Sequence, residues 1–426
     1  MRSQRSPSWL TFAALSLLFF LVNAGTFNSL GVVLPAMVAE LHWSWAVAGA
    51  GFTILGVACG LSSFLPALLI RRLGVRAVML FGGLLLVMGF TILARTHAVW
   101  TYLVATALLG VAFALTSTVP GTHVLTGLFK RRATVLGAYF TIGALGGVVG
   151  PLLYVTLHAT HQGWRIFWAV FVVAAALAAG LAVATTPGRQ ADEAPPAVPP
   201  EQLEPAEMIH GLGDWTVRRA LKSWQFYVIV GAYSVYLLIN TTTHGFAVEH
   251  LVERGVDPRA AAGMLSLEAL IGAAVAIVGG VVGEKVPAKW LMIVALTATT
   301  IGMAGLAEAR SWGLMLVYAF GMGTGFGLSF LAATMLLLGY FGKRANLELY
   351  SIMSVISTSA AVGPAFGGWA RDAMGSFSGM FLLCASAAVA MLAVACFLTP
   401  PAIDGRRKGP LAGAGLKPGL HAETPL

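Results

Sequence analysis

Twelve times along its length this chain runs through eighteen or more residues that are almost wholly apolar. The stretches are 10–39, 46–70, 77–94, 100–128, 133–157, 164–186, 225–249, 259–283, 290–308, 312–341, 347–371 and 377–398. A helix of about 20 apolar residues crosses the roughly 30 Å hydrocarbon core of a bilayer, so each stretch predicts a spanning helix, called here span 1 to span 12. In lipid every backbone N–H and C=O must find its partner inside the protein, which leaves an all-α integral membrane fold. Composition agrees: 58% of the residues are hydrophobic, 10% are charged, and the mean hydropathy is +0.83, whereas soluble domains carry about 25% charged residues. The first stretch continues past Asn23 and Gly25 to Ala39, longer than the apolar region of a signal peptide.

The net charge of +9 acquires its meaning from position. Counting alternate loops, 20 of the 26 Lys and Arg residues fall on one side, the side of both termini. The other side holds Arg95, Arg165, Arg254, Arg259, Arg310 and Arg371. By the positive-inside rule both termini and the central loop are expected in the cytoplasm, as in a multi-pass protein of a bacterial inner membrane. Basic residues scattered over short loops are topology signals, so no nucleic-acid partner is expected. Cys59, Cys384 and Cys396 sit in apolar runs without metal-ligand spacing, and neither a metal nor a cofactor is expected. There is no phosphate-binding glycine loop, zinc-type histidine pair or nucleophile–base pairing in a polar segment. The chain does not read as an enzyme or as a self-contained ATP-driven pump.

Between Pro187 and Trp224 the apolar pattern stops. This segment holds six prolines and six of the 17 acidic residues, the composition of a solvated linker. The expected organisation is a six-helix bundle over 1–186, a cytoplasmic linker over 187–224, a second six-helix bundle over 225–400 and a tail over 401–426. The halves also match in detail. Gly74 and Pro287, Lys130 and Lys343, Gly150 and Gly363, and Glu40 and Glu253 are each separated by 213 residues. A duplicated six-helix unit accounts for this spacing, and such repeats build many secondary transporters.

With these landmarks in place the sequence resembles the major facilitator superfamily over residues 8–400. The family's loop after helix 2, Gly-x-x-x-Asp-Arg-x-Gly-x-Arg/Lys, is similar to Ala67-x-x-x-Arg71-Arg72-x-Gly74-x-Arg76 here, with Arg71 in the acidic place. The second copy, Gly280-x-x-x-Glu284-Lys285-x-Pro287-x-Lys289, keeps the acid. Gly137, Gly146, Gly150 and Pro151 in span 5, and Gly363-Pro364 with Gly367-Gly368 in span 11, look like the family's glycine–proline packing motif. Asn28-Ser-Leu-Gly31-Val-Val-Leu-Pro35, Phe129-Lys-Arg-Arg-Ala133, Ala220-Leu-Lys-Ser-Trp-Gln-Phe226 and His250-Leu-Val-Glu-Arg-Gly255 are similar to its monocarboxylate and oxalate/formate branch. The resemblance implies two pseudo-symmetric bundles, alternating access, and a cavity lined by helices 1, 4, 7 and 10. The arginine that this branch carries in helix 8 falls on Ala276, so its carboxylate site does not carry over.

One charged residue lies far from both ends of a span: Glu268, near the middle of span 8. An ionised carboxylate there costs about 2.5–3.5 kcal/mol on the insertion scale, which makes it a functional candidate by default. It suits a proton carrier or a partner for a cationic solute; a neutral glutamic acid bonded to a neighbouring helix is the alternative. Tyr233, Tyr236, Asn240 and His244 form one polar stripe on span 7, and the run Asn240-Thr-Thr-Thr-His244-Gly245 suggests a break in that helix. His244 is a second candidate for proton coupling. Asn23 and Asn28 on span 1, Thr116 and His123 on span 4, and Tyr318 and Ser329 on span 10 complete the candidate cavity residues; each also suits helix–helix hydrogen bonding. The expected function is secondary transport of a small organic solute, a carboxylate first among them, coupled to protons and carried out by a monomer. A proton-driven efflux antiporter for amphipathic or cationic compounds is the first alternative, and a non-transporting membrane solute sensor the second.

Overall fold

The computed structural model describes residues 5–129, 131–159, 163–187 and 215–401. Most of the expected linker and all but the first residue of the expected tail therefore lie outside the described residues. Twelve helices long and apolar enough to cross a membrane are present: Ser8–Leu41, Trp45–Ser62, Val75–Ala94, Val99–Leu128, Thr134–Leu157, Trp164–Thr185, Trp224–Glu253, Pro258–Gly283, Ala288–Ala307, Trp312–Gly342, Glu348–Met374 and Ser378–Cys396. They form two bundles of six. Large apolar side chains such as Leu84, Val173, Leu177, Ile277 and Val281 remain exposed on the outer faces, as a lipid-facing surface requires.

Lipid tails are as apolar as leucine, so the bundles hold together through close backbone approach at small residues and through interhelical hydrogen bonds. Gly110 of span 4 lies against the Leu55 carbonyl of span 2, and Gly321 of span 10 against Gly302 of span 9. The Tyr102 hydroxyl donates to the Ala48 carbonyl at 2.8 Å. Gly323 and Gly327 let span 10 close on span 8, at the Glu268 and Gly272 carbonyls. That approach sets the geometry of the site described below.

The local breaks fall in other places than the threonine run predicts. Span 7 is one uninterrupted helix, Trp224–Glu253. Its threonines do not unwind it, because Thr242 and Thr243 donate to the Leu238 and Ile239 carbonyls one turn back, both at 2.7 Å. Breaks lie in spans 1 and 4 instead, and a short 3-10 segment, Thr358–Val362, interrupts span 11. Thr26 separates Arg5–Gly25 from Phe27–Leu41 with φ −103° and ψ −105°, and Ser117 separates Val99–Thr116 from Thr118–Leu128 with φ −99° and ψ −114°. At the second break Pro120 has no N–H to offer the Thr116 carbonyl four residues back. Just beyond it the Ser117 carbonyl accepts from both the Gly121 N–H at 3.2 Å and the buried Tyr139 hydroxyl at 3.0 Å. Span 2 also ends earlier than the expected 46–70. A separate helix, Leu65–Leu73, follows it with Pro66 in its first turn.

The two bundles touch on the side opposite the chain ends. There a Cβ at Gly31 (span 1) would collide with the His244 carbonyl (span 7), and one at Gly49 (span 2) with the Pro364 carbonyl (span 11). Gly368 meets the Trp45 carbonyl in the same way. Nearer the membrane centre the Ser266 hydroxyl donates to the Val148 carbonyl at 2.9 Å, and the Ala365 N–H to the Thr53 hydroxyl at 3.0 Å. The structure is closed on its far side.

Candidate functional site

Beneath the far-side closure, between the bundles, lies a cavity of about 230 Å³. Span 1 contributes Asn23, Phe27 and Asn28, span 2 Phe52, and span 5 Ala144; span 7 contributes Leu237, Asn240, Thr241 and His244, span 8 Glu268 and Ala269, and span 10 Phe326. The break at Thr26 begins a new half-helix at the cavity wall, with Phe27 and Asn28 as its first residues. The Asn23 amide donates to the Phe19 carbonyl at 3.0 Å, and the Asn28 amide to the Asn23 carbonyl at 3.0 Å.

The other bundle supplies the ionisable groups. Glu268 is 1% exposed. Its Oε2 accepts a hydrogen bond from the Tyr318 hydroxyl at 2.6 Å, while its Oε1 is buried without a partner although the residue lines the cavity. A buried polar atom without a partner is costly, and in a native structure it asks for an explanation such as a ligand or a proton. His244, on span 7, lines the same cavity. Its Nδ1 lies 2.9 Å from the Asn240 carbonyl; a carbonyl only accepts, so Nδ1 carries the proton and Nε2 is the ring's acceptor. The Tyr236 hydroxyl donates to Asn240 Oδ1 at 2.9 Å. Tyr236, Asn240 and His244 are thus linked along span 7, and Glu268 and Tyr318 are linked between spans 8 and 10. No Lys or Arg lines this cavity.

Of the residues singled out in the sequence, Asn23, Asn28, Asn240, His244 and Glu268 converge on the cavity, with Tyr236 and Tyr318 directly behind it. Thr116 does not join them. Its hydroxyl bonds the Ala112 carbonyl at 2.8 Å and its methyl packs on Gly82 of span 3. Tyr233 packs at a tilt on Phe330, with ring centroids 5.6 Å apart. Ser329 is fully buried away from the cavity, and its hydroxyl has no partner. His123, half-buried on Thr118–Leu128, is not among the lining residues either. The aromatic walls Phe27, Phe52 and Phe326 escape sequence reasoning, because a phenylalanine in an apolar run carries no sign of whether it faces lipid, a neighbour or a cavity.

The two loop copies differ in backbone. Gly74 adopts φ +84°, a conformation open to glycine, whereas its counterpart Pro287 sits at φ −54°. Arg71, Arg72, Arg76, Glu284 and Lys285 are exposed. Lys289 donates to the Cys396 carbonyl at 2.7 Å, a cation at the C-terminal end of span 12. The packing glycines also have distinct tasks. Gly146 and Gly150, with Pro151 in the same unbroken helix, close span 5 on span 1 of their own bundle; Gly363 closes span 11 on span 7, and the Pro364 carbonyl meets the opposite bundle.

Two bundles of six helices around a central cavity are the architecture of a secondary transporter. The chain belongs to the major facilitator superfamily, whose family model matches residues 15–251 and again 235–422. No curated protein matches the chain in sequence. Among solved structures it is similar to a mutant of the nucleoside transporter NupG, with a TM-score of 0.74 and 12% identity over 91% of this chain and 99% of that one. A bacterial homologue of the lysosomal transporter Spinster, solved inward-facing and unoccupied, gives a TM-score of 0.69 and 18% identity over 93% and 95%. A POT family transporter in complex with 5-aminolevulinic acid gives 0.71 and 14% over 91% and 96%. At these identities the likeness is one of fold.

Proposed function

We propose that this secondary transporter carries a small organic carboxylate together with protons, and that Glu268 and His244 are the groups that load and release them. The observation that carries the reading is the unpartnered Oε1 of Glu268, a deeply buried carboxyl facing a cavity that also holds a titratable imidazole. With Glu268 protonated and His244 an imidazolium, the cavity is net positive and a solute carboxylate neutralises it. Without those protons the site presents Glu268 as an anion and repels the solute. Solute and proton therefore enter together, and no buried arginine is needed. Asn23, Asn28 and Asn240 offer hydrogen bonds to the solute, and the phenylalanines hold its apolar part.

The bundles 1–186 and 225–400 act as two rigid bodies joined by the linker 187–224, with 401–426 as a tail. The protein works as a monomer in the bacterial inner membrane with both termini in the cytoplasm. In that orientation the structure, closed on its far side, is the inward-facing state.

Uptake into proteoliposomes under an imposed pH gradient, with carboxylates, neutral metabolites and cations as solutes, tests this reading. Glu268→Gln abolishes proton-driven accumulation and leaves counterflow exchange intact; driven uptake at the wild-type level in that variant overturns the coupling role. A cavity with a free carboxylate oxygen and no Lys or Arg also favours a second reading, proton-driven export of cations. That reading predicts cation efflux from the same vesicles, no carboxylate accumulation, and sensitivity to toxic cations in cells that lack the gene.

A further inference from the structure

The first turn of span 2, Trp45–Ser62, has its N–H groups satisfied from two different bundles. The Ser44 hydroxyl, next in the chain, accepts from Val47 N–H at 3.3 Å. The two N–H groups nearest the end of the helix belong to Trp45 and Ala46. They donate instead to Asp372 Oδ1 at 3.1 Å and Asp372 Oδ2 at 2.8 Å, and Asp372 stands at the end of span 11 in the other bundle. A carboxylate that takes up the free N–H groups of a helix N-terminus is stabilised by both the hydrogen bonds and the helix dipole.

The neighbouring residue shows which contacts have to break. Arg371 donates from Nε and Nη2 to Glu253 Oε1 at 3.1 and 2.6 Å, tying span 11 to span 7 within one bundle. Rigid-body motion of the bundles preserves that pair. It cannot preserve the Asp372 bonds, because opening the far side draws span 2 away from span 11. Around the same contact Gly49 and Gly368 bring the two backbones together against Pro364 and Trp45, and Trp45 packs edgewise on Phe246 and Phe377 with centroids 6.0 and 5.3 Å away.

We infer that Asp372 is a latch between the bundles: by capping span 2 it holds the far side closed, and its release is a step in opening toward that side. When the far side opens, Trp45 and Ala46 N–H lose their acceptors and Asp372 turns to water. The carboxylate is exposed, so its effect is a moderate bias on the equilibrium between the two states. The inference does not depend on which solute or ion the cavity carries.

Spin labels at Arg95 and Arg310, exposed far-side positions in opposite bundles, report the gate in protein whose Cys59, Cys384 and Cys396 are replaced. Asp372→Ala is expected to raise the ratio of the long-distance to the short-distance population by roughly threefold to thirtyfold, the range spanned by loss of a helix cap. Asp372→Asn, which keeps an acceptor but loses the charge, falls between Asp372→Ala and the unsubstituted protein. Glu253→Gln breaks the pair within one bundle and leaves the distribution unchanged. Equal distributions in both Asp372 variants and the unsubstituted protein overturn the latch, as does a shift in Glu253→Gln as large as that in Asp372→Ala. Where Asp372→Ala does not fold, Asp372→Asn alone decides: an unshifted distribution rejects the latch and a shifted one supports it.

Discussion

The two bundles descend from one six-helix unit, yet their cavity walls are built differently. In the first bundle the cavity-side helix is broken at Thr26, span 4 is broken at Ser117, and the polar cavity groups are the amides of Asn23 and Asn28. In the second, span 7 runs unbroken and the cavity receives Glu268 and His244, with Tyr318 bracing Glu268 from span 10. A neutral wall with broken helices faces a charged wall with continuous ones. The reason is physical. A buried carboxyl in a membrane needs a fixed hydrogen-bond partner, so Glu268 sits where glycines press spans 8 and 10 together and Tyr318 reaches it. The Asn23 and Asn28 amides find backbone carbonyls within their own span, so their wall tolerates a break. Duplication supplied the symmetry and side-chain chemistry divided the labour.

After loss of Glu268 itself, the largest effect expected on this division comes from Tyr318→Phe. It removes a hydrogen bond to the coupling carboxyl, a change of about 0.5–1.5 kcal/mol, or up to about tenfold in apparent solute affinity. It also moves the pH of half-maximal uptake, measured in proteoliposomes over a pH series; an unmoved profile shows that Tyr318 only fills space. Asn28→Ala, in the neutral wall, raises KM severalfold, in line with a lost hydrogen bond of about 1 kcal/mol, and leaves the pH profile where it was. A displaced profile in Asn28→Ala breaks the contrast between the walls. Thr116→Val is the smallest: the threonine faces span 3, so uptake changes by less than about twofold, within the ±0.5 kcal/mol of a neutral substitution. A large loss of uptake with intact protein in the membrane puts Thr116 back among the residues that govern transport.

Glu268 was legible because a lone carboxylate amid apolar residues stands out in any reading, and Asn23, Asn28, Asn240 and His244 for the same reason. Thr116 and Ser329 carried an equal polar signal and yet lie outside the cavity: the Thr116 hydroxyl satisfies itself on its own helix, and the Ser329 hydroxyl is buried without a partner. Phe27, Phe52 and Phe326 gave no signal at all. Asp372 was hidden differently: a charge at the end of a span reads as an anchor in water, and its partner N–H groups lie more than 300 residues away in sequence.

The sequence alone determined that this chain spans a membrane twelve times, that it is a duplicated six-helix unit, and that one carboxylate stands deep within a span. These follow from length, hydropathy and spacing, which the bilayer reads one segment at a time. Only the tertiary structure decided which face of each helix turns to lipid, to a neighbour or to the cavity. In helices apolar on every side, periodicity does not mark the buried face. Close approach at Gly31, Gly49, Gly323 and Gly368 chooses it, by allowing backbones to meet where any larger residue would hold them apart.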